Sequence, residues 1–325
     1  MSTTKPWDDR IGRRLRLRDL HILMSVARCG GMGKAAAELA VSQPAISKAI
    51  ADIEHTLGVR LLDRTTQGVE PTLYGRALLR WGATVFDDLR QGVKEIEFLA
   101  DPTAGEVRIG SSEVNTAGLL PAVLDRLSRK HPRLAFTVVQ AQNVELQYRE
   151  LRDRNIDLTL GRLGAPATDE DLNSEILFED PLCVVAGVNS KYLRRRVAAA
   201  DLVGETWCLP QGVFVRSRIA EAFRAKGLDL PRHVVSSNSI QLLIALLATG
   251  RFLGVLSGSL LQLSGRRLGF KAVPVDLPIE PSPVGIVTLK NRTLNPVAQL
   301  VIDCAREVAR PIAKGLGRTR RTISS

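Results

Sequence analysis

Across residues 17–57 apolar side chains return every three or four positions: Leu20, Leu23 and Ala27, then Ala36 and Leu39, then Ile46, Ile50, Ile53 and Leu57. That period predicts three short helices sharing one small core. Ser42 is a good N-cap for the third, and Pro44 falls in its first turn, where a missing N–H costs nothing. LLDRTTQGVEPT then reads as two short strands around a turn at Gln67 and Gly68. From Thr72, a plausible N-cap, a long helix follows with Leu78, Trp81, Val85, Leu89, Val93, Ile96 and Leu99 on one stripe. At ~1.5 Å per residue it extends about 40 Å. Its apolar stripe wants cover, either a second long helix or the chain's own later segments.

Pro and Gly in DPTAG, residues 101–105, interrupt that helix and mark the clearest linker. Beyond it EVRIG, LAFTVV, IDLTLG, LCVVAG, HVVSS, FLGVLS and GIVTL read as strands separated by helical segments, with a last helix from about Pro296 to Arg310. Strands alternating with helices predict a mainly parallel α/β sheet. The segment is long enough for two small α/β lobes with a cleft between them.

With 325 residues, 45% of them hydrophobic, the chain is neither a disordered tail nor a disulfide miniprotein. A formal charge of +11 invites a polyanion, but the first hundred residues are nearly balanced, so charge does not locate a site. MSTTKPWDDRIGRR lacks the apolar region of a signal peptide, and the longest apolar run, LLIALLA, is too short to span a bilayer. A soluble cytoplasmic protein without membrane partners is expected. Cys29, Cys183, Cys208 and Cys304 form no C-x-x-C pair, so reduced core thiols and no bound metal are expected, and a redox sensor is the minor alternative.

An enzyme reading finds little support. His21, His55, His131 and His233 make no recognisable constellation, GSSEV lacks the second Gly of a nucleophile elbow, and no phosphate or dinucleotide loop is present. No enzyme activity and no cofactor are expected. A stand-alone solute-binding protein would explain the lobes but not the N-terminal bundle.

With Ile46, Ile50 and Ile53 inward, the third helix presents Gln43, Pro44, Ser47, Lys48 and Ala51 outward. Gln can read an adenine edge, Ser can bond a base or phosphate, and Lys offers a phosphate or guanine contact, so this face suits a major groove. Any three-helix bundle also has such an exposed face. The hairpin favours DNA, since it would carry Arg64, Thr65 and Thr66 on a wing beside that helix. On A-x-x-L-x-x-S-Q-P-A-x-S followed by L-G-x-x-L-x-x-R-T, the stretch GGMGKAAAELAVSQPAISKAIADIEHTLGVRLLDRTTQGVEPTLYG resembles the winged helix-turn-helix of the LysR-type transcriptional regulators.

The resemblance implies a sequence-specific DNA-binding regulator that responds to a small-molecule effector. It assigns Ser42, Gln43, Pro44, Ser47 and Lys48 to the recognition helix and Arg64 to the wing. It divides the chain into a winged helix-turn-helix (17–72), a linker and dimerisation helix (73–100) and a two-lobed effector-binding domain of periplasmic-binding-protein-like fold (105–312); the chain departs from the family in a basic N-terminal extension (1–16, its arginines being Arg10, Arg13, Arg14, Arg16 and the adjoining Arg18), and it ends in a basic tail (313–325). The expected partners are double-stranded DNA at an interrupted palindrome near promoters, RNA polymerase, and further copies of the chain as a homodimer or homotetramer. Strand C-termini and helix N-termini facing the cleft supply the effector candidates: Ser111, Ser112, Gln142, Asn143, Arg162, Phe214, Arg216, Asn238, Ser239 and Ser257. With 4% aromatic residues, a small acid or a single sugar fits better than an oligosaccharide.

Overall fold

The computed structural model describes residues 15–65, 68–164, 170–194, 196–231, 234–277 and 279–324. The chain divides into two compact units, Met1–Arg90 and Gln91–Ser325.

In the first unit, α1 (Leu17–Cys29), α2 (Met32–Glu38) and α3 (Gln43–Leu57) pack around Ile22, Leu23, Val26, Ala35, Ile46, Ile50 and Ile53. On α1 the buried face differs from the simple period: Ile22 and Val26 enter the core and Ala27 is only half-buried. Turning the helix this way buries two branched side chains in place of a methyl, which is worth more apolar area. Ser42 caps α3, its Oγ accepting from Ala45 N at 3.4 Å. The hairpin of β1 (Leu62–Thr65) and β2 (Gly68–Pro71) follows, paired antiparallel. Val69 N donates to Gly30 O at 3.0 Å, tying β2 to the end of α1. A Cβ on Gly68 would stand 2.2 Å from that oxygen, so the close approach demands glycine. α4 (Leu73–Ala100) begins under a Thr72 cap, with Gly75 N donating to Thr72 Oγ1 at 3.0 Å.

The second unit has two five-stranded sheets. The first lobe contains β3 (Ala104–Ser111), β4 (Arg133–Gln140), β5 (Leu158–Arg162), β6 (Leu172–Asp180) and β12 (Ser282–Leu289), in the order β4-β3-β5-β12-β6. The second contains β7 (Leu182–Gly187), β8 (Thr206–Leu209), β9 (Val234–Ser236), β10 (Phe252–Ser257) and β11 (Phe270–Ala272), in the order β11-β7-β10-β8-β9. Both sheets are mixed rather than mainly parallel. β3 pairs parallel with β4 and β5, and β8 with β9 and β10, but β12 and β7 run antiparallel to their neighbours. The reason is connectivity: the chain leaves the first lobe at Pro181 and returns between β11 and β12, so each lobe takes in a strand entering from the opposite direction.

Helices cover both sheets. The first lobe carries α5 (Glu113–Ala117), α6 (Leu119–Lys130), α7 (Val144–Arg152) and the last helix, and the second carries α8 (Val213–Arg224), α9 (Ile240–Ala248) and α10 (Gly258–Leu268). The last helix, α11 (Pro296–Ser324), runs well past the stop near Arg310 that its pattern suggests. Pro311 removes one backbone donor, but Ile312 and Leu316 remain in the same core as Val301 and Ala305, and their burial carries the helix through. Inside this lobe Arg292 and Asp157, each 1% exposed, form an ion pair at 2.7 Å, and Asp157 also accepts from Arg108 N at 2.8 Å.

Candidate functional site

α3 has two faces. Ile46, Ile50 and Ile53 are buried, while Ser42, Gln43, Pro44 and Lys48 are exposed. Ser47 is half-buried, and its hydroxyl donates to Met32 Sδ at 3.2 Å, so it leans on α2 as well as facing outward. The wing is held to this helix by Glu54, whose Oε1 accepts from Leu61 N at 2.7 Å and Leu62 N at 3.2 Å. Arg64 and Thr65 lie on β1, but their side chains are outside the described residues, as are Thr66, Arg10, Arg13 and Arg14. Arg16 is exposed at the start of α1.

Along α4 the apolar stripe is largely uncovered. Trp81 is 68% exposed and Ile96 67%, with Val85, Leu89, Val93 and Leu99 also exposed, whereas Leu78 packs against the first unit's core.

In the second unit the effector candidates fall at strand ends, in two groups. On the first lobe Ser111 is fully buried and donates to Leu160 O at 2.8 Å, while Ser112 accepts from Asn115 Nδ2 at 2.8 Å. Gln142 and Asn143 are exposed, Asn143 capping α7 by accepting from Leu146 N. On the second lobe Arg216 donates to Ser236 Oγ at 3.2 Å, Asn238 Oδ1 accepts from Gln211 N at 3.0 Å, and Ser239 caps α9. The Phe214 side chain is outside the described residues.

Arg162 and Ser257 belong to a third cluster at the crossover between lobes. Asp180, 1% exposed at the end of β6, accepts from Ser259 N at 2.9 Å and from the Ser259 hydroxyl, and Ser257 Oγ lies 3.3 Å from Ser259 Oγ. Burial pushes the Asp180 carboxyl above its ordinary range, partly offset by the Ser259 hydrogen bonds. Burial likewise pulls Arg162 down, opposed by the Asp180 charge and reinforced by Arg218. Arg162 Nε is enclosed without a hydrogen-bond partner, and so is the Ser282 hydroxyl on the strand residue paired with Asp180.

These elements meet a comparison with known proteins at both ends of the chain. Residues 17–76 match the bacterial regulatory helix-turn-helix protein, lysR family, and residues 100–310 match the LysR substrate binding domain. The chain belongs to the LysR family. As a LysR-type protein it is a DNA-binding transcriptional regulator with an effector-binding domain. It is 32% identical over 296 residues to the HTH-type transcriptional regulator GbpR of Azospirillum brasilense, covering 90% of this chain and 86% of that one. Its fold is similar to a full-length OxyR variant from Pseudomonas aeruginosa, with a TM-score of 0.64, 21% identity, and coverage of 91% and 99%. It is also similar to full-length CbnR complexed with its target DNA, with a TM-score of 0.62, 19% identity, and coverage of 90% and 100%.

Within this LysR-type chain, Asp180, Arg218, Ser259 and Ser282 escaped the sequence reading, as did Glu113, which reaches the other lobe. Only the acidic EDP at the crossover offered a local signal. Among the described residues no three His, Cys, Asp or Glu side chains gather to hold a metal, and no helix is long and apolar enough to cross a membrane.

Proposed function

We propose that α3 lies in the major groove of double-stranded DNA, with Gln43, Pro44, Ser47 and Lys48 toward base edges and Ser42 near the backbone. Arg64, Thr65 and Thr66 on the wing take the flanking contact. The observation that carries this reading is the division of α3 into a buried isoleucine face and an exposed face bearing Gln43 and Lys48. The uncovered stripe of α4 supports a homodimer through residues 73–100, and two dimers make a tetramer. Two heads then meet the half-sites of an interrupted palindrome near a promoter, where RNA polymerase is the neighbouring partner. Such work places the protein in the cytoplasm and requires no catalysis.

The effector occupies the cleft of the two-lobed domain, residues 105–312, where Ser111, Ser112, Gln142, Asn143, Arg162, Phe214, Arg216, Asn238, Ser239 and Ser257 supply its contacts. Ser111 contributes as an acceptor, since its proton is already given to Leu160 O. A ligand that favours one lobe arrangement shifts the spacing of the heads on DNA. Footprinting on the chain's own upstream region, with a metabolite panel, tests both halves. A protected interrupted palindrome whose span changes with one metabolite supports the reading, and no protection overturns it.

A further inference from the structure

Glu307 is the last acidic residue of α11, and its carboxylate is held by Arg126 of α6. One turn earlier Asp303 pairs with Arg306 at 2.7 Å, and Arg306 also holds Glu175 at 2.8 Å. Beyond Glu307 the helix continues to Ser324, and its sequence carries Arg310, Lys314, Arg318, Arg320 and Arg321 with no Asp or Glu between them. Arg310 and Lys314 are exposed, and neither joins an ion pair among the described residues.

Arg310, Lys314, Arg318 and Arg321 recur at intervals of four, four and three residues, the period of one helix face. The opposite face is occupied, since Ile312 and Leu316 lie in the first lobe's core with Val301 and Ala305. A Cβ on Gly315 would stand 2.5 Å from Gln262 Nε2, and one on Gly258 2.9 Å from Leu316 Cδ2, so α11 lies tight against α10 of the second lobe as it enters the basic stretch. Like charges one turn apart oppose helix formation. The core holds the helix in spite of them, and a row of anions along the stripe would turn that repulsion into attraction.

We propose that the basic stretch of α11 is a second DNA contact, one that tracks phosphates without reading bases. Over the roughly 16 Å of helix from Arg310 to Arg321, duplex DNA presents about ten phosphate charges, so each cation can meet one. A membrane surface would need an apolar face to insert, and here that face, with Ile312 and Leu316, is buried in the lobe. A protein partner would need aromatic or apolar anchors, whereas the exposed residues between Arg310 and Leu316 are Arg310, Pro311 and Lys314. The contact is additional to the base-reading face of α3 and draws on a different chemistry, charge alone.

The test uses the full chain with Arg310→Gln and Lys314→Gln together, and with a second variant that adds Arg318→Gln, Arg320→Gln and Arg321→Gln. Gel shifts on a duplex from the chain's own upstream region and on an unrelated duplex of equal length are run from about 50 to 200 mM salt. In the larger variant the slope of log affinity against log salt should fall by about two to four ions, and affinity for both duplexes by about tenfold with their ratio unchanged. The smaller variant should lose about one to two ions of slope and melt as wild type does, because Arg310 and Lys314 face solvent. If the larger variant melts lower, the smaller one decides alone. Unaltered slopes and affinities overturn the proposal, and sedimentation of wild type but not of the variants with phosphatidylglycerol vesicles would then assign the stretch to a membrane. A loss confined to the upstream duplex also overturns it, since phosphate tracking is blind to sequence. So does a drop in solution mass by light scattering, which would make the stretch an interface between copies.

Discussion

Glu113 and Ile240 lie 127 residues apart and on different lobes, yet Glu113 Oε1 accepts the Ile240 backbone N–H at 2.9 Å. A side chain from the first turn of α5 thereby satisfies an open donor at the start of α9, where the helix dipole also favours its charge. Glu113→Ala should weaken this link by about 0.5–2 kcal/mol. Hydrogen exchange at the first turn of α9 should accelerate several-fold, and unchanged exchange there would show that the contact contributes nothing to holding the lobes.

Glu54 is predicted to set the wing. Glu54→Ala leaves the Leu61 and Leu62 amides without their acceptor, at a cost of about 1–3 kcal/mol. Its melting temperature should fall, and DNA affinity should fall further than stability alone explains, because the hairpin loses its fixed position against α3. Gel-shift titration beside a melting curve separates the two effects.

Exposed α3 residues should behave in the opposite way. Gln43→Ala and Lys48→Ala remove side chains that face solvent, so the melting temperature stays put while specific DNA binding weakens by about 1–3 kcal/mol each. If Lys48 touches a phosphate, its loss also flattens the salt dependence by about one ion. Equal affinity in both variants would remove α3 from the groove.

Charged residues on the α4 stripe are predicted to break assembly. Trp81→Glu with Val85→Glu places carboxylates on a surface that is already exposed within one chain, so the single chain stays folded and the solution mass drops. Light scattering reads the mass. A wild-type mass would mean that this stripe is not the interface between copies.

Thiol chemistry should be silent at Cys183. Burial pushes its pKa up to about 12, with the Asp180 charge adding to the shift, so the thiolate is scarce at pH 8. Cys208 and Cys304 are also raised by burial, and Cys29 is raised by desolvation and by its hydrogen bond to Glu38. The native protein should leave Cys183 unlabelled by a thiol reagent at pH 8, and denaturant should expose it. Rapid native labelling at that residue would reopen a redox role.

The N-terminal unit is where local sequence decides most. Ser42 as a cap, Pro44 in the first turn and the spacing of Ile46, Ile50 and Ile53 act within a few residues of one another, so α3 and its outward face follow from helix geometry alone. Asn143 and Ser239 cap α7 and α9 by equally local contacts, each three residues away. The lobe junction was not legible in this way. Arg162, Asp180, Arg218, Ser259 and Ser282 come together only because the chain crosses at Pro181 and returns ahead of Ser282, and no periodicity records which distant strand lies beside which. The same crossing reversed β7 and β12 and made both sheets mixed. Hydrophobic pattern fixes which face of an element is buried, because burial is a property of each side chain. Pairing across a hundred residues, and the enclosed Arg162 Nε that it leaves without a hydrogen-bond partner, is a property of topology, which only the folded chain specifies.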